Sequence, residues 1–393
     1  MATPSSIDLD HAAATPMHPS VADAIAEAQG QAHANPSSQH ALGRSARRVL
    51  EDARERIVAA LGGSGTALHR HRLVFTSGAS EANRLGILGM AGGSTTVGEV
   101  TFSRRDHPSS VNAAIDAGRH GWRLREVPLD AAAGTAGPGL ASTAAEPVET
   151  RIVSLTLVCG QTGSIEDLSW PSPDRESGVL VHLDATQAVG LMPVSFSELQ
   201  VSTLALAPHK FGGPRGIGGL LVRGSVALTP LQAGPQEHGL RGGTEAVPLA
   251  AGFARAVELA IADRDHVARH VASLRDRLES QILKVAHEAG IPAVVIAAAA
   301  RRCPHIATIA FPGLDRQAVA MAADLAGVCL ATGTACASGS SEPSPALVAM
   351  GLAPDIVRGA VRLSVGRTTT VAEIDQAVER LAPLLRAKPL PGF

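Results

Sequence analysis

The sequence has no tyrosine and few aromatic residues of any kind, 2% in all. Set beside the abundant alanine, this reads as genome composition and carries no functional argument. Cysteine is scarce too: Cys159, Cys303, Cys329 and Cys336, none of them in a Cys-x-x-Cys pair. That spacing argues against a zinc ribbon or a dithiol redox motif, and no metal site is expected. Four thiols in 393 residues do not make a disulfide scaffold, so a reducing compartment is the simpler reading. No basic run exceeds a dipeptide and the net charge is -2, so nucleic acid is not expected as a partner. Small acidic metabolites stay compatible, because a local cluster can bind them without moving the total. No apolar stretch approaches a membrane span. Met1–Asp10, with Pro4, Asp8 and Asp10, does not read as a signal peptide. A soluble cytoplasmic protein is expected.

What is present is a chain 45% hydrophobic, long enough for one large domain and a smaller one. Short runs rich in Val, Ile and Leu read as buried strands: Leu73–Phe75, Glu99–Phe102, Arg151–Val158, Val179–Leu183, Thr203–Leu206 and Gly219–Val222. Helical patterns such as Ser80–Met90 and Pro108–Ala117 separate many of them. Alternating strand and helix predicts an α/β domain with a mostly parallel sheet covered on both faces. After about Gly252 the pattern changes. Phe253–Asp263 and His266–Ala289 read as long helices, Ile306–Phe311 as a strand and Val371–Leu385 as a closing helix, an α+β arrangement. The expected division is a large domain over 15–252 and a small C-terminal domain over 253–393, joined by 1–14. The Gly/Ala/Thr/Pro-rich stretch Thr135–Pro147 reads as a surface loop.

The strand Val179–Leu183 delivers Asp184 at its carboxyl end, and Thr203–Leu206 delivers Ala207-Pro208-His209-Lys210. In open parallel sheets the carboxyl ends of the strands face the ligand crevice. Asp184 and Lys210 are therefore expected to share one site. A lysine that forms a Schiff base, with an acid on the pyridinium nitrogen, is the signature of pyridoxal-phosphate (PLP) catalysis. Taken singly, Asp184 is better read as a helix N-cap and Lys210 as a solvated loop residue. Their order after two strands favours the functional reading.

Thr76-Ser77-Gly78-Ala79-Ser80-Glu81 follows a strand and opens a helix. Such an N-terminus can hold a phosphate, against the bland alternative of an ordinary start capped by Ser80. His107, after another strand, suits ring stacking or proton transfer, although a lone histidine is more often structural. Arg362 interrupts an apolar strand and could grip a carboxylate, a structural ion pair being about equally favoured. Cys336 lies in the small, polar stretch Ala331–Pro343, where a thiol is exposed and reactive, or else merely incidental. Cys329 reads as a buried core cysteine.

Together these residues resemble the cysteine desulfurases of the NifS/IscS type, in the class V aminotransferase family. The resemblance runs from about Ile7 to about Ile374. The matching strings are Leu9–Pro16, Asn35-Pro36-Ser37-Ser38, Phe75–Glu81, Asp184-Ala185-Thr186-Gln187, His209-Lys210, Arg241-Gly242-Gly243-Thr244 and Arg362–Arg367. The string ending Ser341-Glu342-Pro343-Ser344 looks like the family's long-loop group. The resemblance implies a fold-type I PLP enzyme with a seven-stranded-type sheet, working as a homodimer. It assigns Lys210 to the cofactor tether, Asp184 to the pyridine nitrogen, Gln187 to the ring oxygen and His107 to ring stacking. It gives Ala79, Ser80 and His209 to the phosphate, and Thr244 to the phosphate of the other subunit. Arg362, Asn35 and Cys159 become substrate-binding positions, and Cys336 the sulfur acceptor. It further implies L-cysteine as substrate and a sulfur-acceptor protein downstream, in iron–sulfur cluster assembly, tRNA thiolation or thio-cofactor synthesis.

Three departures from the family pattern stand out. Cys159-Gly160-Gln161 occupies the place of the usual Asn-Asn-Glu, and a thiol cannot replace the two-sided hydrogen bonding of an amide. Ala207-Pro208 replaces Ser-Gly, losing a phosphate hydroxyl. Arg84 stands where asparagine is usual. Each neutral hydrogen bond lost is worth on the order of 1 kcal/mol, which weakens binding without abolishing it. The departures motivate a rival within the family: a selenocysteine lyase or other carbon–sulfur lyase. A second rival is a catalytically weak PLP-binding partner protein, against which Lys210, Cys336 and Arg362 argue together. An NAD-dependent dehydrogenase lacks its Gly-x-Gly-x-x-Gly after the first strand and is set aside.

Overall fold

The computed structural model describes residues 6–63, 71–136, 150–168, 179–333 and 342–386. The strands are β1 (Ile7–Asp8), β2 (Arg72–Thr76), β3 (Glu99–Phe102), β4 (Arg123–Glu126), β5 (Arg151–Thr156), β6 (Val179–Asp184), β7 (Thr203–Leu206), β8 (Gly218–Val222), β9 (Val294–Val295), β10 (Ile306–Ala310), β11 (Val328–Cys329) and β12 (Ala360–Ser364). Seven of them form one sheet in the order β2-β8-β7-β6-β5-β3-β4. Pairing is parallel from β7 through β6, β5 and β3 to β4, and antiparallel on both sides of β8. Six strands thus run one way and β8 alone runs the other.

The long helices are α1 (Pro19–Gln31), α2 (Ala41–Ala60), α3 (Ala79–Gly93), α4 (Pro108–Arg119), α5 (Val247–Ala262), α6 (Arg264–Glu288), α7 (Arg316–Leu325) and α8 (Val371–Arg386). Successive strand residues point to opposite faces of a sheet. Leu73, Phe75, Val153, Leu155, Leu204 and Leu221 accordingly pack on the side of α2 and α5, with Leu50, Ile57, Phe253 and Val257. Val74, Ile152, Ala205, Leu220 and Val222 pack on the other side with α3 and α4, through Leu85, Ile87, Met90 and Val111. β5, β7 and β8 are buried along their whole length, as continuous apolar runs between two helical layers should be.

A second cluster gathers the antiparallel sheet β12-β10-β9 and the short parallel pair β1-β11 under α6 and α8. Val271, Leu274, Leu278 and Ile282 of α6 meet Ile374, Ala377 and Leu381 of α8 there, and Ile7 and Leu9 join them from the other end of the chain.

The expected strands and helices occur, with shifted ends. α5 starts at Val247, ahead of Phe253, with Pro248 in its first turn, a place that suits proline's fixed φ and missing N–H. The strand after Thr150 stops at Thr156, short of Val158. Residues 137–149, most of the expected loop Thr135–Pro147, lie outside the described residues. Cys329, expected in the core, is only partly buried. No helix among the described residues is long and apolar enough to cross a membrane.

Candidate active site

β6 ends in Asp184, and β7 is followed by a tight turn over Pro208–Lys210. The strands are neighbours and parallel, so both residues emerge at the same edge of the sheet. They line one cavity of ≈ 370 Å³ with Ala79, Ser80, His107, Gln187 and His209.

Asp184 is buried and held by uncharged donors. Its Oδ1 accepts the Thr186 backbone N–H at 2.9 Å, and its Oδ2 accepts the Asn83 side-chain amide at 2.8 Å. The Asn83 carbonyl oxygen lies 3.0 Å from His182 Nε2, and His182 Nδ1 lies 2.9 Å from Thr203 Oγ1. Burial pushes His182 down to about 4, so the imidazole is neutral and carries one N–H. That proton belongs on Nε2, because the Asn83 oxygen can only accept. His182 therefore leaves the charge of Asp184 uncompensated and available to a cation in the cavity. The Asn83 amide also donates to Ser109 Oγ at 3.0 Å, and Ser109 Oγ is 2.7 Å from His107 Nδ1. One buried asparagine thus connects Asp184 to His107. His182 fits under α3 only because residue 86 is glycine: a Cβ there would fall 2.3 Å from His182 Nδ1.

Lys210 Nζ donates to the carbonyls of Ala12 and Ala13 at 2.6 and 2.8 Å. Gln187 uses its amide N–H on the same Ala12 carbonyl, 2.8 Å away, and its oxygen faces His305 Nε2 at 3.0 Å. Burial, with Lys210 and Arg215 adding to it, holds His209 down at about 4. α3 opens at Ala79, and Gly78, not Ser80, takes the N-cap position, with no side-chain cap. Ser80 instead lines the cavity. Glu81 turns back to accept the Ser77 N–H at 2.6 Å and pairs with Arg241 at 2.6 Å, which fixes the turn.

The remaining candidates are dispersed. Arg362 is 2% exposed. Its Nη1 donates to the Gly160 carbonyl at 2.8 Å and its Nη2 to Asp10 at 2.7 Å, its Nε has no hydrogen-bond partner among the described residues, and the residue is not among those lining the cavity. The structural ion pair considered from sequence is therefore present. Cys159 is buried with Sγ 3.8 Å from the Arg105 carbonyl, and it is not among the residues lining the cavity, whereas Gly160 and Gln161 are. Asn35 is exposed, its Oδ1 accepting the Ser37 N–H at 2.8 Å, and it lies outside the cavity. Thr244 is exposed and outside it as well. Arg84 pairs with Asp116 at 2.7 Å. Cys336 falls in 334–341, outside the described residues. Just beyond that segment, Ser344 and Pro345 line the cavity.

Sequence reasoning missed Asn83, His182 as part of the site, and Asp106, and it read Gln161 only as part of a departure from the family pattern. Asp106 lines the cavity and is pushed up to about 7, chiefly by burial, with the Arg105 guanidinium opposing. Its position next to His107 was the one available signal. Among the polar groups that line the cavity, Thr186 Oγ1, Ser344 Oγ and both amide atoms of Gln161 are buried without hydrogen-bond partners among the described residues. A primary amine, a carboxylate held by neutral donors, a helix N-terminus and orphaned hydroxyl groups around one cavity form a donor set that fits an aromatic phosphorylated aldehyde such as PLP.

A family model described as Aminotransferase class-V matches residues 7–377. The chain is 34% identical over 386 residues to a protein of Cereibacter sphaeroides named cysteine desulfurase, covering 96% of this chain and 95% of that one. Among solved structures it is similar to the NifS-like protein from Rickettsia africae, with a TM-score of 0.85, 25% identity, and 96% and 99% of the two chains covered. A structure described as SspA in complex with cysteine matches with a TM-score of 0.76 and 25% identity, over 93% of this chain and 100% of the other.

Proposed function

The chain belongs to the class-V aminotransferase family, and from that premise we propose that it is a PLP-dependent cysteine desulfurase, converting L-cysteine to L-alanine with transfer of the sulfur to Cys336. The observation that carries this reading is the meeting of Asp184 and Lys210, from neighbouring strand ends, in the cavity that the Gly78–Ser80 turn also lines. The relatives named cysteine desulfurase and the solved cysteine complex support the substrate.

Lys210 would tether the cofactor, Asp184 would pair with the ring nitrogen, Gln187 with the ring oxygen, His107 with the ring face, and Ala79, Ser80 and His209 with the phosphate. When bound, the cofactor supplies an aldehyde carbon that captures amines and a ring that withdraws electrons from the substrate α-carbon. Asp184, with its charge uncompensated by the neutral His182, keeps a proton on the ring nitrogen. Lys210 Nζ takes the substrate α-proton, its amine drawn from the same pair of backbone carbonyls it now bonds. Arg362, whose Nε has no hydrogen-bond partner among the described residues, would offer that N–H to the substrate carboxylate. The Cys336 thiolate attacks the substrate sulfur: an S–S bond forms and the C–S bond breaks. The electron pair of that bond stays on the three-carbon fragment, which leaves as alanine after protonation.

Thr244, on the exposed side of the chain, would serve a second copy, so the homodimer belongs to this proposal, as do a sulfur-acceptor protein, a cytoplasmic setting, and a division into a large and a small domain; the expected boundary at 252/253 falls inside α5, whose Phe253 and Val257 pack on the large sheet, so all of α5 goes with the large domain. The clustering of Ile7 and Leu9 with α6 and α8 supports grouping the N-terminus with the smaller domain. Cys336→Ser tests the sulfur transfer. Cofactor loading should be unchanged, and persulfide formation, read by mass spectrometry of the intact protein after incubation with cysteine, should vanish. Undiminished cysteine-dependent sulfide release from that variant would contradict the role of Cys336.

A further inference from the structure

We propose that Gln161 is a substrate-binding residue whose side-chain amide donates a hydrogen bond to the carboxylate of the amino-acid substrate. The inference deepens the desulfurase reading and rests on it. Gln161 is 1% exposed, lines the cavity that holds Lys210 and Asp184, and has neither amide atom hydrogen-bonded among the described residues. A buried amide left unpaired destabilises the free protein, so it persists where a ligand completes it.

The main chain on either side is fixed. Thr308 Oγ1 donates to the Gln161 carbonyl, and Arg362 Nη1 donates to the Gly160 carbonyl at 2.8 Å. The residue is therefore anchored one position along from a carbonyl held by the Arg362 guanidinium, whose Nε has no hydrogen-bond partner among the described residues. A neutral amide N–H inside the cavity can donate to an oxygen of a carboxylate. Cys159, two residues earlier, cannot take this part, because its thiol is directed at the Arg105 carbonyl and is not part of the cavity lining.

The test compares the PLP-loaded wild type with Gln161→Leu and, as a variant of similar shape, Gln161→Met. Calorimetric titration with L-alanine reads carboxylate binding without turnover, and KM is measured for L-cysteine and for cysteamine, which lacks the carboxylate. Q161L and Q161M should weaken alanine binding and raise the KM for cysteine about ten-fold or more. Both should leave cysteamine and cofactor content unaffected. Folding is not at stake in the apolar variants, since both remove an unpaired buried amide. Alanine bound by Q161L or Q161M as tightly as by wild type, or a parallel loss for cysteamine, would overturn the assignment. A wild type that neither binds alanine nor turns over cysteine would instead overturn the desulfurase reading beneath it.

Discussion

Lys210 is one of three lysines in the chain, with Lys284 and Lys388. Its amine is the one that lines the cavity with Asp184. Borohydride reduction of the PLP-loaded protein, followed by peptide mass mapping, should therefore place the label on Lys210. Lys210→Ala should carry no label and release the cofactor on gel filtration. Label at Lys284, or label retained by the variant, would contradict the assignment. Lys210 and Asp184 were legible in the sequence because an apolar run followed by a polar residue marks a strand end, and strand ends of a parallel sheet share one edge. Asn83 was not legible. In sequence it is one polar residue in the first turn of a helix, and only the fold shows that it bonds Asp184, Ser109 and His182 together. Gln161 read as part of a loss, because the change at Cys159 is visible in the sequence and the orientation of neighbouring side chains is not.

At the scale of elements, the turn before α3, proposed here as the phosphate site, depends on a glycine in another element. A Cβ added at Gly218, the first residue of β8, would fall 2.5 Å from the Gly78 carbonyl carbon and 2.9 Å from the Ala79 nitrogen. Backbone cannot yield as a side-chain tip can, so the turn must shift. Gly218→Ala should destabilise the fold by about 1–3 kcal/mol and weaken binding of PLP and of inorganic phosphate together. Unchanged melting and unchanged phosphate affinity would show that the turn does not form the phosphate site. Buried strands such as β5 and β7 were readable because their Val, Ile and Leu residues form a short apolar run buried on both faces. β4 was not. Its Arg-Leu-Arg-Glu sequence is mostly exposed at the sheet edge, where charged residues protect an unpaired strand and erase the hydrophobic signal. The start of α5 was hidden by Pro248, which in sequence looks like a break and in the fold occupies the first helical turn.

Across the whole molecule, burial sets how stability responds to pH. His182 and His209 are held at about 4 and His305 at about 3, each chiefly by burial. Each therefore binds a proton on unfolding between that value and the ordinary one near 6.5. Their contribution is complete above about pH 6.5 and is lost as the pH falls. Asp106, pushed up to about 7, acts in the opposite sense. It is protonated when folded and ionised when unfolded over the range from about 4 to 7, so its share declines as the pH rises. With three histidines against one carboxyl, the melting temperature of the cofactor-free protein should fall on going from about pH 6.5 to about pH 5. A melting temperature that rises over that interval would contradict the neutral state of the buried imidazoles.

The central claim, that one cavity built by β6, β7 and the start of α3 removes sulfur from cysteine, is tested most directly by incubating the purified, PLP-loaded protein with L-cysteine and a reductant and quantifying alanine and sulfide together. The account predicts the two products in equal amounts, appearing only with both cofactor and cysteine. Bound cofactor with no alanine formed would contradict it.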